Sequence, residues 1–214
     1  MVGAASSRIT AAQQTFRALL AAMSCPGTVQ PLPILPGEAP ESLLLFALAD
    51  HEVAFTMAIA SESGNLSSDM QSAAHRLVAL TGSTLAALPA ADFVISFGRL
   101  PATAWSQLRR GTPAFPDRSA TIIYIVPAVG NRLASSIATE LVLTGPGIES
   151  DRHLVVSGLA ASEFVALAEL NAEFPLGVDV ILADAQGRVA CVPRSSKIAV
   201  CQPEPGEEAA PWPM

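Results

Sequence analysis

The chain carries little charge of either sign and almost none of it as lysine. Charged residues make up 14% of the 214 positions against 50% hydrophobic ones, and 11 of the 12 basic residues are arginine, the exception being Lys197. With a net charge of -7 there is no basic surface to displace counterions from a phosphate backbone, which excludes nucleic acid as the main partner. A single lysine leaves one candidate for any chemistry that needs an amine. Cysteine is scarce: Cys25, Cys191 and Cys201 are odd in number and form no C-x-x-C pair, so neither a disulfide framework nor a zinc site is readable. His51, His75 and His153 are scattered, and no metal is expected. Long apolar runs are missing too. The longest, such as "LLLFALA" at 43–49, fall far below the roughly 20 residues of a membrane span. Gln13, Gln14 and Arg17 interrupt the apolar stretch after Arg8, so no signal peptide is read, and a cytoplasmic protein is expected. Phosphate-loop, dinucleotide, zinc-protease and nucleophile-elbow signatures are all absent.

What is present suits a packed domain. Residues 1–201 read as one α/β domain and 202–214 as a Pro- and Glu-rich tail. A chain of this length buries roughly 70% of its unfolded surface in one core. The mean hydropathy of +0.43 together with the low charge fits a protein that covers part of its exterior in an oligomer or complex.

Helices and strands alternate along the chain. Phe16, Leu19, Leu20 and Met23 fall at i, i+3, i+4 and i+7, one face of a helix over 9–23, which Pro26-Gly27 ends. Spaced prolines make 28–40 an extended segment. A short buried helix follows at 42–49, then a strand at 53–60. Ser67 or Ser68 caps a helix with Met70, Ala73, Ala74, Leu77 and Val78 on one face. Strands are read at 92–97, 119–126 and 140–145, with helices at 101–111 and 162–173. "VDVILAD", the turn Ala185-Gln186-Gly187 and "RVACV" form a β-hairpin. The alternation gives an α/β layered fold, and the late hairpin makes its sheet mixed.

Few residues stand out chemically. Asp179 lies within the apolar run of the hairpin and Arg194 just beyond its second strand. They form either a buried ion pair or part of a cleft. Gly145-Pro146-Gly147 follows a strand, either as a plain turn or as a backbone nest for an anion. Asp117-Arg118 sits at the mouth of another strand. Its guanidinium either holds a phosphate or pairs with the neighbouring carboxylate.

Four stretches taken together give the chain a resemblance: "FRALLAAMSCPG" (16–27), "GTPAFPDRSAT" (111–121), "LTGPGIE" (143–149), and "FPLGVDVIL" with "VPRSSK" (174–197). In order and spacing they resemble the PhnH family, a subunit of the bacterial carbon–phosphorus lyase system for phosphonate use. Ser195-Ser196 stands where that family usually has a Thr-Thr pair, and the tail looks additional. The resemblance implies a three-layer α/β sandwich whose mixed sheet lies between helix layers, like the large domain of pyridoxal-phosphate-dependent transferases, in a homodimer without that cofactor. It implies assembly with the PhnG, PhnI and PhnJ subunits and a functional link to PhnL. Together these move an alkylphosphonate onto the ribose of a nucleoside triphosphate with loss of the base, so ATP enters as a substrate of the assembled complex. Carbon–phosphorus cleavage falls to the iron–sulfur subunit PhnJ, whose cluster these dispersed cysteines do not hold. The chain is then an assembly subunit without catalysis of its own, or else a direct contributor to the nucleotide and phosphonate site. No catalytic residue is assigned. Asp117, Arg118, Gly145, Pro146, Gly147, Gly177, Asp179 and Arg194 are the candidates for anion binding or subunit contact.

Overall fold

A computed structural model describes residues 2–58, 67–132 and 138–201. The tail at 202–214 and the end of the 53–60 strand lie outside the described residues. Two sheets organise the fold. The larger has seven strands in the order β1-β10-β9-β5-β4-β2-β3. These are β1 (Gln30–Pro31), β2 (Ala54–Ala58), β3 (Thr84–Leu85), β4 (Phe93–Ser96), β5 (Thr121–Val126), β9 (Asp179–Asp184) and β10 (Arg188–Val192). The run from β3 to β9 is parallel, while β10 returns antiparallel to β9 and β1 antiparallel to β10. The sheet is mixed, as the sequence implies. The second sheet has four antiparallel strands in the order β11-β7-β8-β6: β6 (Ala128–Gly130), β7 (Ala138–Thr144), β8 (Arg152–Ser157) and β11 (Lys197–Cys201).

The central strands are apolar on both faces because both faces are covered. Ile122 and Tyr124 of β5 and Val180 and Leu182 of β9 meet one core, whereas Ile123, Ile181 and Ala183 meet the other. The second core lies under α1 (Val2–Ser24), α2 (Pro40–Leu48) and α3 (Ser68–Thr81). The first is closed by Leu141, Leu143, Leu154 and Val156 of the second sheet, with Phe164 and Leu167 of α5 (Ala161–Leu170) and Ala104 of the short α4 (Ala102–Trp105). On that side the cover is therefore largely a β-sheet, where the resemblance led us to expect helices.

Local signals explain the element ends. The Ser67 hydroxyl accepts the Met70 N–H at the start of α3, and Gly82 ends that helix in the left-handed region at φ 77°. On α1 the expected inward face is corrected. Ala11, Thr15, Ala18, Leu19 and Ala22 are buried, and Phe16 and Leu20 point outward. Small side chains let the helix lie close against its neighbours, which leaves the larger ones outside.

Asp184 joins the two sheets. It is fully buried, and its carboxylate accepts the Val129 N–H of β6 (3.1 Å), the Gln186 and Arg188 N–H groups of the hairpin turn (3.0 and 3.1 Å), and Arg188 Nε (2.7 Å). Asp184→Ala strands these donors, and the expected loss is on the order of 3 kcal/mol, read as a lower urea midpoint. Asp184→Asn, which keeps one acceptor oxygen, falls between wild type and alanine. A loss below about 1 kcal/mol for alanine would remove Asp184 as the joint between the sheets.

Candidate functional site

The sequence-marked residues gather at the edge where the parallel strands begin. Thr121 and Asp179 are paired neighbours there, at the starts of β5 and β9. Because Val180 faces Val192 across the hairpin, Arg194 returns beside Asp179. Arg194 Nη2 lies 2.5 Å from Asp179 Oδ2, Nε donates to Oδ1 at 3.2 Å, and the Arg194 backbone N–H donates to the same oxygen at 2.8 Å. The remaining arm, Nη1, donates to the Pro116 carbonyl at 2.8 Å. Side-chain exposures of 17% and 22% make this a partly buried, bidentate pair. Arg194 thereby ties the turn at Pro116–Arg118 to the hairpin.

The other marked residues reach this edge through backbone rather than side chains. Arg118 is exposed, with its guanidinium 4.5 Å from the centre of the Phe115 ring, and Asp117 is exposed beside it. A Cβ on Gly145 would come within 3.0 Å of the Ser195 carbonyl oxygen, and one on Gly147 within 2.2 Å of the Ser24 carbonyl oxygen. Close approach to the end of α1 and to the 195–196 turn thus accounts for both glycines, with Pro146 exposed between them. Gly177, at φ 138°, passes against the Asn171 side chain, and its N–H donates to the Arg110 carbonyl at 3.0 Å. Asn171 then grips Val178 twice, through Nδ2 to its carbonyl (3.0 Å) and from its N–H to Oδ1 (2.8 Å). Lys197 is exposed on β11.

Sequence reasoning missed a second constellation at the opposite edge, where the parallel strands end and where α/β sheets commonly bind ligands. An open cleft of about 930 Å³ runs between α4 and α5 from this edge back toward Arg110 near the first edge, with Arg99, Trp105, Arg110, Glu163 and Glu169 on its wall. Glu163, in the first turn of α5, is buried. Its Oε1 accepts the Leu100 N–H at 2.6 Å and the Tyr124 hydroxyl at 2.8 Å. Burial pushes the Glu163 carboxyl up from the ordinary glutamate value, while Leu100, Tyr124 and Arg99 pull it partly back. Burial, with Glu163 second, also raises Tyr124, which stays a phenol and a donor. The usable signal was Tyr124, the one tyrosine of the chain, set in the aliphatic run "TIIYIV", because a buried phenol needs a partner.

Comparison with known proteins adds an independent line. The family model for "Bacterial phosphonate metabolism protein (PhnH)" matches residues 3–199. The putative C-P lyase subunit protein HtxG of Stutzerimonas stutzeri is 36% identical over 186 residues, covering 87% of this chain and 85% of its own. The alpha-D-ribose 1-methylphosphonate 5-triphosphate synthase subunit PhnH of Rhizobium meliloti (strain 1021) is 28% identical over 208 residues, covering 92% and 94%.

Two outcomes follow from the geometry. Asp179→Ala and Arg194→Ala each leave the partner's charge half-buried, so the double variant should be more stable than the sum of the single losses. The expected coupling is about 1–3 kcal/mol in a chemical-denaturation cycle, and additivity within about 0.5 kcal/mol would mean no interaction. For Glu163 the folded state holds its proton to higher pH than the unfolded chain. Its contribution to stability therefore falls as pH rises from 4.5 through the raised folded value. Glu163→Gln keeps the acceptor oxygen and should flatten that fall, matching or exceeding wild type at pH 7. Glu163→Ala should lose about 1–3 kcal/mol. A Gln variant clearly weaker than wild type at pH 7 would show the ionised carboxylate to be the stabilising form.

Proposed function

Because this chain belongs to the PhnH family of bacterial phosphonate metabolism proteins, we propose that it serves as the assembly subunit of a carbon–phosphorus lyase complex. In that role it supports the transfer of an alkylphosphonate to the ribose of a nucleoside triphosphate without performing the chemistry alone. The observation that carries this reading is the family match over residues 3–199, together with relatives named as subunits of such systems. The local chemistry agrees with it. Arg194, a candidate anion binder, spends all three nitrogens of its guanidinium on Asp179 and Pro116. The proposed partners are PhnG, PhnI and PhnJ, with PhnL acting in the same step and ATP entering as a substrate of the whole.

We read residues 1–201 as one unit of cytoplasmic protein; no helix among the described residues is long and apolar enough to cross a membrane. The unit forms a homodimer. An outward stripe of Ile9, Phe16 and Leu20 on α1, 57%, 46% and 55% exposed, supplies apolar surface for contact with a second copy or a partner. The turns carrying Asp117, Arg118 and Pro146 offer a further contact edge. In this reading the mixed sheet is akin to the large domain of pyridoxal-phosphate-dependent transferases, but the chain binds no pyridoxal phosphate. A Schiff base needs a lysine whose amine is held in a pocket, and Lys197 is exposed on a strand at the sheet edge.

Reconstitution tests the proposal. The pure chain should run as a dimer by light scattering and, mixed with ATP and methylphosphonate, release no adenine. Borohydride after exposure to pyridoxal phosphate should fix no pyridoxyl group on Lys197. Adding the chain to the partner subunits should restore base release to a mixture that lacks it. Turnover by the chain alone, or a partner mixture indifferent to it, would overturn the assembly role.

A further inference from the structure

The outer face of the four-stranded sheet brings a carboxylate, an imidazole and a thiol to one point, none of which takes part in the edge or cleft described above. β11 pairs with β7 so that Cys201 lies opposite Glu140. β8 pairs with the other side of β7 and sets His153 opposite Val142, one diagonal step from Glu140. Leu141, Leu143, Leu154 and Val156 are buried in the core, so the period-two alternation of each strand sends Glu140, His153 and Cys201 to the outer face. There His153 Nδ1 lies 2.7 Å from Glu140 Oε1. One donor atom from each of the three residues falls within 4.8 Å of the other two. The second ring nitrogen, Nε2, looks the other way, 3.7 Å from Asp151 Oδ2. The backbone beneath is pinned, because Asn131 Nδ2 donates to the His153 carbonyl at 2.9 Å.

An ordinary surface ion pair explains His153 and Glu140 but gives no reason for a thiol on the third strand. We propose that Glu140, His153 and Cys201 form a binding site for a divalent transition metal ion, zinc before others, with Asp151 orienting the imidazole from behind. The mixed sulfur, nitrogen and oxygen set suits a borderline-soft ion and disfavours magnesium and calcium, which take oxygen ligands. Bond lengths of about 2.3 Å to sulfur and about 2.0–2.1 Å to nitrogen or oxygen bring tetrahedral donors closer together than 4.8 Å. Binding therefore needs side-chain adjustment only, on a ladder whose register already fixes the backbones. Asp151 supplies the carboxylate that commonly faces the far nitrogen of a metal-bound histidine. Three protein donors on an exposed face leave a fourth position for water or for a donor from another molecule. The bound ion would also staple β11 to β7 and β8.

The full chain, stripped with chelator and dialysed against Zn²⁺ or Co²⁺, should take up one ion per chain, and the ion should raise the melting temperature. With Co²⁺ a thiolate-to-metal charge-transfer band should appear, persist in Cys25→Ser and vanish in Cys201→Ser. Glu140→Ala and His153→Ala should each weaken binding by at least about tenfold, and Asp151→Asn by about tenfold. Circular dichroism confirms that each variant is folded, and Cys201→Ala with His153→Gln serve as alternates for any that is not. Absence of stoichiometric uptake would overturn the proposal. So would zinc affinity unchanged by Cys201→Ser, or a cobalt band that depends on Cys25.

Discussion

Asp184 is the point on which the two sheets agree. A fully buried carboxylate is tolerated only where donors replace the water it has lost. Here the replacements come from the turn that begins the return strand β10, from the Arg188 side chain, and from Val129 on β6 of the other sheet. The carboxylate thereby sets where β9 stops and how the hairpin turns. The turn in turn fixes the register that places Val180 opposite Val192. Just beyond that pair, one residue back along β9 and two residues on from Val192, Asp179 and Arg194 meet. The two acidic ends of β9 are therefore not independent features. The outer one exists as a pair because the inner one holds the turn.

The same sheet treats its two edges differently. Where the parallel strands begin, glycines allow the backbone to approach its neighbours closely. Gly145 meets the 195–196 turn, Gly147 meets the end of α1, and Gly177 meets Asn171. Arg194 locks the Pro116 turn onto this packing. The edge is closed by its own contacts, and what it presents outward is the exposed trio Phe115, Asp117 and Arg118. Where the strands end, the chain leaves an open cleft and sets into its wall the Glu163 carboxyl, whose pKa burial raises.

How much of this was legible depended on whether a residue's partner lay nearby in sequence. The hairpin at 178–192 was readable because its apolar runs and its Gly187 turn sit side by side, and it brought Asp179 and Arg194 near each other while leaving open whether they pair or line a cleft. The second sheet was not. β8 begins with Arg152 and His153, and β11 is a five-residue alternation just before a polar tail. Neither looks like a strand until β7 lies between them. Glu163 was opaque for a similar reason: an acid in the first turn of a helix is the ordinary choice, and its partners Leu100 and Tyr124 are 63 and 39 residues away. The Gly-Pro-Gly segment was read as either a plain turn or an anion nest; it forms a turn, closed by Ile148 N–H donating to the Gly145 carbonyl, and the close contacts that require its glycines come from residues far along the chain.

The composition takes on a more specific meaning once α1 is in place. A chain with 50% hydrophobic residues and 14% charged ones must either bury nearly all of its apolar side chains or show some of them. On α1 the buried stripe, which packs against β10 and α2, is mostly small, with Ala11, Thr15, Ala18 and Ala22 beside Leu19. The larger apolar residues that periodicity assigns to the core, Phe16 and Leu20, are displaced to the outer surface beside Ile9. Close packing inside has therefore produced an apolar stripe outside. A helix arranged in this way gains from a second surface laid over that stripe, which is the physical reason to expect this subunit to work in contact with another chain.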